Sequence, residues 1–238
     1  MSDTRTRYAR DHSLLTPDTF VRASLPGMSK AAAIVHAAPA QGAAFAEYTV
    51  EFDAGGSFMS GAHQMFLYAL AGTIEVATHT LRPDQYAYIP PGSACPIGSA
   101  HSARAVVIEK RYLSLGEAAP ALFVGNAEAV DPVPMMGDET VGVQTLLPAD
   151  FAFDFAVNIM TFQPGATLPM VEAHVMEHGL LMLEGGGIYR LGENWYPVTA
   201  GDFIWMAPFC PQWFGALGKT PAKYLIYKDW NRHPLQSK

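Results

Sequence analysis

A repeated pattern of short apolar strands is the feature of this sequence that most restricts its fold. One copy begins at Phe66 and reads FLYALAGTIEV, followed by LRPDQYAYIPPGS. The other begins at His178 and reads HGLLMLEGGGIYRL, followed by PVTAGDFIWMAP. Each copy has an apolar strand, a glycine turn, a second strand and a short turn in which Asp84 matches Asp202. Two copies of one unit indicate a duplicated architecture.

The repeated segments have the character of β-strands. They are short, rich in β-branched and aromatic residues, and bounded by turns, and no segment of the chain carries a long helical period. The chain also contains 21 glycines and 18 prolines, which suits many turns. Because a barrel buries one face of a sheet and removes its exposed edges, the sequence predicts an all-β chain of two tandem barrels with few short helices.

Composition along the chain suggests where these barrels begin and end. We predict an N-terminal barrel over residues 1–115, which includes a leader of about 40 residues. The leader segment HSLLTPDTFVRASLPGM is a candidate for an additional strand on the other half of the chain. A linker rich in glycine, alanine and proline is predicted over residues 116–140, and the C-terminal barrel over residues 141–238.

Composition and charge exclude several classes of function. The net charge is -7 and no basic cluster stands out, so we expect no nucleic-acid partner. No run of 18 apolar residues and no apolar N-terminal segment occurs, so we expect neither a membrane span nor a secretory signal. The two cysteines, Cys95 and Cys210, suit a reducing cytoplasm, where both are expected to act as small apolar residues.

The segment 165–185 carries a pattern typical of a metal site. Glu172 and His174 are two residues apart, a spacing that points both side chains to one face of a strand. His178 again lies at an even spacing, whereas Glu177 does not and is left out. The run after His178 is glycine-rich and strand-like, which argues against a helical zinc site. Carboxylate and imidazole groups both bind divalent ions well.

This segment resembles the first motif of the cupin superfamily, G-x5-H-x-H-x3,4-E-x6-G, with the ligand types reordered. Glu172 stands at the first histidine position, His174 at the second, and His178 at the glutamate position. The second cupin motif, counted from Gly201, places Gln212 at its histidine position. The resemblance implies two cupin barrels and one cation on these four residues. A glutamine oxygen in the ligand set favours Mn²⁺ over zinc or copper.

The first repeat lacks this ligand set. The positions aligned with the four ligands carry Met59, Gly61, Met65 and Ala94. None of these side chains is an imidazole, carboxylate or amide. We therefore expect the N-terminal barrel to be metal-free and to pack against the second barrel or to mediate assembly into a homo-oligomer.

The Glu/His/His/Gln set on a two-cupin chain is similar to that of the (S)-ureidoglycine aminohydrolase family. The segments HSLLTPD, LAGTIEV, YIPPGS, KRY and YLIYKDWNR extend this resemblance over nearly the whole chain. It implies metal-dependent hydrolysis of (S)-ureidoglycine, a small molecule, to (S)-ureidoglycolate and ammonia in allantoin degradation. It also assigns Tyr189, Tyr224 and Lys228 to contacts with the substrate. We further expect Gln212 to bind substrate, and Glu172 and Lys228 to act in catalysis.

Two alternatives stay open from the residues alone. The same scaffold could carry another metal-dependent enzyme, such as an oxygenase or an isomerase that acts on a small organic acid. It could also bind a small acid without catalysis. The group that protonates the leaving amine is not decided by the sequence.

Overall fold

A computed structural model describes residues 4–232. Its strands, in chain order, are β1 (Arg7–Tyr8), β2 (His12–Leu15), β3 (Arg22–Ala23), β4 (Ser29–Ala37), β5 (Ala46–Met59), β6 (Gln64–Ala71), β7 (Ile74–Val76), β8 (His79–Leu81), β9 (Gln85–Ile89), β10 (Pro96–Ser99), β11 (Ala103–Lys110), β12 (Phe123–Asn126), β13 (Val133–Met135), β14 (Asp138–Thr145), β15 (Phe155–Phe162), β16 (His178–Glu184), β17 (Gly186–Leu191), β18 (Asn194–Thr199), β19 (Phe203–Met206), β20 (Gln212–Ala216) and β21 (Ala222–Asp229).

The predicted all-β fold is confirmed. Between residues 4 and 232 the helical elements are three short 3-10 helices, Pro17–Thr19, Pro39–Gln41 and Ala127–Ala129. Within this same range, no helix has the length and apolar character needed to cross a membrane.

The chain divides into two compact units. The N-terminal unit comprises Val21–Ala129, and the C-terminal unit comprises Val130–Lys238 together with Met1–Phe20, within the residues that the structure describes. The leader, included in the predicted range 1–115, adds a strand to the other half of the chain, as its segment HSLLTPDTFVRASLPGM suggests, because β2 pairs with β19. The predicted linker 116–140 also contains ordered strand: β12 pairs with β9 of the N-terminal unit.

The two units repeat one strand order, as the sequence repeat predicts. In the N-terminal unit β5, β11, β6 and β9 are neighbours, and in the C-terminal unit β15, β21, β16 and β19 follow the same order. Gly72 and Gly185 sit at equivalent turns with positive φ angles of 74° and 64°. A Cβ on Gly72 would lie 2.5 Å from the Ser102 carbonyl oxygen, and one on Gly185 would lie 2.4 Å from that of Pro221. Both turns therefore require glycine.

The C-terminal unit is built from two sheets that share one apolar core. An eight-stranded sheet has the order β1-β2-β19-β16-β21-β15-β14-β13, and a three-stranded sheet has the order β18-β17-β20. Side chains from both sheets, among them Phe162, Tyr224 and Phe214, pack together and are buried. The Phe162 and Phe214 rings meet edge to face at 4.9 Å, a favourable aromatic geometry. This core fixes the spacing between the sheets at one end of a cavity.

Candidate active site

A cavity of about 170 Å³ opens in the C-terminal unit, and every residue predicted for the site lines it. The polar lining consists of Glu172, His174, His178, Tyr189, Gln212, Tyr224 and Lys228. The apolar lining consists of Met135, Val143, Met160, Leu168 and Ile226. A small chamber with a few converging polar groups on an apolar wall is the usual form of a small-molecule site.

Strands β16 and β21 place one side of the site. Tyr224, Ile226 and Lys228 alternate along β21, so their side chains point to the same face and into the cavity. His178 opens β16 directly opposite Lys228 in the strand pairing. The imidazole and the amine are thereby held opposite each other on adjacent paired strands, which support both side chains rigidly.

Glu172 and Gln212 are joined by their backbones. The two residues form a β-bridge in which each N–H donates to the other's carbonyl oxygen at 2.8 Å. Residues opposite each other in such a bridge carry their side chains on the same face. Gln212 also begins β20, and the Tyr189 hydroxyl on β17 donates to its Oε1 atom at 3.1 Å. The amide oxygen is therefore oriented by a buried phenol.

His174 reaches the site from irregular chain, not from a strand as its spacing suggested. Its Nε2 atom lies 3.1 Å from Glu172 Oε2, and its ring centre lies 5.1 Å from that of His178. The His174 carbonyl accepts a hydrogen bond of 2.6 Å from the Phe209 N–H, which ties this loop to the turn before β20. Glu172 and His174 thus face the same cavity, as their spacing predicts, but His174 lies in a loop and not on a strand.

The donor set fits a divalent cation. It offers a carboxylate, two imidazoles and an amide oxygen, a mixture suited to Mn²⁺ and similar ions. Burial, with the charges of Lys228 and His174 nearby, lowers the pKa of His178 to about 3, so its imidazole is neutral and keeps a lone pair for coordination.

Burial also sets the protonation of the remaining polar groups. It lowers the pKa of Lys228, against the opposing attraction of the Glu172 carboxylate. It raises the pKa values of Tyr189 and Tyr224 well above the ordinary range, so both phenols stay neutral and can donate hydrogen bonds. The Tyr224 hydroxyl lies 3.3 Å from Met160 Sδ, to which it donates. The cavity therefore combines an amine of lowered pKa with two neutral phenols.

Some features of the site were not evident in the sequence. Met135 lies in the predicted linker, yet it lines the cavity. The exclusion of Glu177 from the ligand set agrees with the geometry, since its carboxylate does not line the cavity and accepts a hydrogen bond from Trp205 Nε1 at 3.2 Å. A separate group of potential metal ligands, Asp11, His12 and Cys210, was also missed, because nothing in their spacing shows that they meet.

Comparison with known proteins identifies the family. The family model described as "Cupin domain" matches residues 158–227. This range contains six of the seven polar residues of the cavity, and Lys228 follows it directly. An (S)-ureidoglycine aminohydrolase of Arabidopsis thaliana is 43% identical over 241 residues, which cover 98% of this chain and 80% of that protein. The chain belongs to the (S)-ureidoglycine aminohydrolase family. The family resemblance drawn from the sequence is thereby confirmed.

Solved structures share the fold of this chain. The crystal structure of protein Ylba from Escherichia coli matches with a TM-score of 0.84 at 31% identity and covers 96% of this chain and 95% of that chain. A mutant of Bacillus subtilis oxalate decarboxylase matches with a TM-score of 0.68 at 11% identity, over 92% of this chain and 77% of that chain. At such low identity the second match shows the fold alone, and it is consistent with the cupin fold of this (S)-ureidoglycine aminohydrolase family member.

Proposed function

We propose that this chain hydrolyses (S)-ureidoglycine to (S)-ureidoglycolate and ammonia with the aid of one Mn²⁺ ion held by Glu172, His174, His178 and Gln212. The observation that carries this proposal is the convergence of these four ligands with Lys228 in one cavity. The near full-length similarity to a relative named (S)-ureidoglycine aminohydrolase supports the choice of substrate.

The reaction exchanges two groups on one carbon atom. The carbon–nitrogen bond to the free amine breaks, and a carbon–oxygen bond to water forms. One proton of the water is removed as it adds, and one proton is delivered to the departing amine, so that ammonia leaves. The site therefore needs a proton acceptor on the water side and a proton donor on the amine side.

The bound cation would supply Lewis-acid stabilisation of negative charge in the cavity. Glu172 is the proton acceptor in our proposal, since it is the carboxylate that lines the cavity. Lys228 is the proton donor, because its lowered pKa brings the ammonium closer to the basicity of the amine that it must protonate. Its charge also attracts the carboxylate of the substrate.

Tyr189 and Tyr224 orient the substrate in this proposal. Both are buried phenols that stay neutral, and they can donate to the ureido oxygen or the carboxylate. The Tyr189 hydroxyl donates to Gln212 Oε1 and the Tyr224 hydroxyl to Met160 Sδ, and these contacts orient the two phenols in the cavity. Fixed donors in a small, largely apolar chamber favour one orientation of the reacting carbon, which is how a site selects one enantiomer.

Ammonia release from freshly generated ureidoglycine tests the proposal. We expect metal-loaded protein to release ammonia faster than spontaneous decay and metal analysis to find one Mn²⁺ per chain. We expect Glu172→Gln to lose both the metal and the activity. Glu184→Gln, which alters an exposed carboxylate outside the cavity, is the matched control and should keep both. A metal-loaded protein with no rate above spontaneous decay would contradict the proposal.

The remaining expectations from the sequence stay proposals. We propose a cytoplasmic location, supported by two buried free cysteines that a reducing compartment would preserve. We propose a homo-oligomer, since an N-terminal barrel without a metal site is free to serve assembly. We also propose that the N-terminal barrel is metal-free. Cell fractionation, sedimentation and metal content per chain test these three statements.

A further inference from the structure

We infer that Asp11, His12 and Cys210 form a second cation site, selective for Zn²⁺, in the C-terminal unit and outside the active-site cavity. Their potential ligand atoms, a carboxylate oxygen, an imidazole nitrogen and a thiol sulfur, all lie within 4.8 Å of one another. None of the three residues lines the cavity. This site is thus separate from the proposed Mn²⁺ site.

Pairing of the leader with the barrel creates this cluster. His12 opens β2, which pairs with β19, and Asp11 directly precedes it. Cys210 lies in the turn between β19 and β20. The turn is tied to the leader by a backbone hydrogen bond of 2.9 Å from the Ala207 N–H to the Asp11 carbonyl oxygen. His12 and Cys210 are almost fully buried, whereas the Asp11 side chain is 46% exposed and leaves a route from solvent.

Hydrogen bonds within the cluster show where a cation would fit. The Asp11 carboxylate contacts His12 Nδ1 at 2.8 Å, and the Cys210 thiol, which donates to the Pro211 carbonyl oxygen at 3.6 Å, lies within 4.8 Å of both. The other ring nitrogen, His12 Nε2, lies 2.9 Å from the Tyr196 hydroxyl. The imidazole, the thiol and the carboxylate thus lie side by side, and a divalent cation can bind all three in place of the protons on Nδ1 and the sulfur.

The exchange balances in atoms and charge. The thiol proton leaves to solvent, and the sulfur binds as thiolate. The imidazole proton shifts from Nδ1 to Nε2, where it is donated to Tyr196, and Nδ1 coordinates the cation. Thiolate, carboxylate and neutral imidazole give an uncharged complex with one dication, and a water completes four ligands. A ligating histidine whose second nitrogen donates to a neighbour is the usual arrangement of such sites.

Ligand chemistry selects zinc at this cluster. Thiolate ligands favour Zn²⁺ over Mn²⁺, which prefers oxygen ligands, so the two sites should take different ions. A cation here would also join β2 to the turn that leads to Gln212. Because it binds the folded chain, it should raise the unfolding temperature.

Co²⁺ distinguishes the two sites by its absorption spectrum. A Co²⁺–thiolate bond gives a charge-transfer band, and the residues that line the cavity include no cysteine. Co²⁺ and then Zn²⁺ are added to Mn²⁺-loaded full-length protein. We expect the band in the wild type and in Cys95→Ser, its absence in Cys210→Ser, and at least tenfold weaker Co²⁺ binding in Asp11→Asn. Zn²⁺ should displace the Co²⁺ and raise the unfolding temperature of the wild type but not of Cys210→Ser.

Three results would overturn the inference: no band in the wild type, a band that persists in Cys210→Ser, or a band lost in Cys95→Ser. Near-ultraviolet circular dichroism checks that the Cys210→Ser protein is folded. If Cys210→Ser is not folded, Co²⁺ binding by Asp11→Asn is the deciding measurement. Unchanged Co²⁺ affinity in that variant also overturns the inference. None of these readouts depends on turnover of ureidoglycine.

Discussion

Gly187 is where the fold most directly controls the proposed active site. It is buried on β17, and a Cβ added there would lie 2.1 Å from the Gly215 carbonyl oxygen on β20 and 2.8 Å from a carbon of the Phe214 ring. Because ordinary contacts begin near 3.4 Å, Gly187→Ala must separate the two strands by roughly 1.3 Å at this point. The same two strands carry the Tyr189–Gln212 hydrogen bond of 3.1 Å.

We expect Gly187→Ala to reduce both stability and activity. Forcing a methyl group into a packed core costs about 1–3 kcal/mol. A displacement of about 1 Å at a ligand or substrate contact can lower the rate by roughly 10²-fold. Thermal unfolding measures the first effect. The kcat/KM for ammonia release by Mn²⁺-loaded protein measures the second.

Gly61→Ala is the matched control. A Cβ at Gly61 meets no atom within 4 Å and its φ lies outside the left-handed region, so we expect wild-type stability or slightly more. If Gly187→Ala also matches the wild type in unfolding temperature and kcat/KM, then strand spacing does not position Gln212, and the reasoning is refuted.

Three further predictions concern charged groups. Lys228→Met should lower kcat by about 10²–10⁴-fold without loss of stability, because burial disfavours the ammonium. Lys223→Met, on the same strand, is the control and should keep activity. Equal kcat values for the two variants would contradict the role of Lys228. Burial raises the pKa of Glu47 from 4.5 to about 8. As pH rises between these two values, the unfolded chain loses this proton while the folded chain keeps it. The stability of the folded chain therefore falls across that pH range. The Glu47→Gln variant should therefore unfold at the wild-type temperature near pH 4 and at a higher temperature at pH 8. Its free energy of unfolding at pH 7 should exceed that of the wild type by on the order of 3 kcal/mol. If the difference between the two proteins does not change with pH, the Glu47 carboxyl is not held neutral. Arg5→Met leaves the fully buried Asp202 carboxylate without its bidentate partner and should cost roughly 1–3 kcal/mol in urea unfolding. Wild-type stability would mean that the leader is not anchored by this pair.

The sequence predicts the fold well because its local signals and its tertiary pairings agree. The glycine turns at Gly72 and Gly185 are visible in the sequence, and the structure requires glycine at both. The leader is recognisable as a candidate strand for the other half of the chain, but its pairing partner is harder to predict. Whether His12–Leu15 pairs with the nearer or the farther barrel depends on long-range strand pairing, to which local propensity contributes nothing.

The site is predicted in its members but not in its geometry. Spacing and resemblance identify the residues that line the cavity, but His174 lies on irregular chain, and its direction is set by the Phe209–His174 hydrogen bond. The bridge between Glu172 and Gln212 joins segments far apart in sequence. The cluster at Cys210 has the same character, since a lone cysteine carries no signal until the leader brings Asp11 and His12 beside it.

The two barrels differ by one residue in the position of the lysine at the end of one equivalent strand. Both end strands carry a lysine near their last residue, Lys110 and Lys228. In the N-terminal unit Ala105 and Val107 point into the core, so alternation directs Glu109 inward and Lys110 to the opposite face. The Glu109 carboxylate accepts a hydrogen bond of 2.9 Å from Tyr48. Where the C-terminal barrel presents an amine, the N-terminal barrel presents a carboxylate already bound to a phenol. The similar strand endings therefore do not make the interior of the N-terminal barrel a copy of the proposed active site.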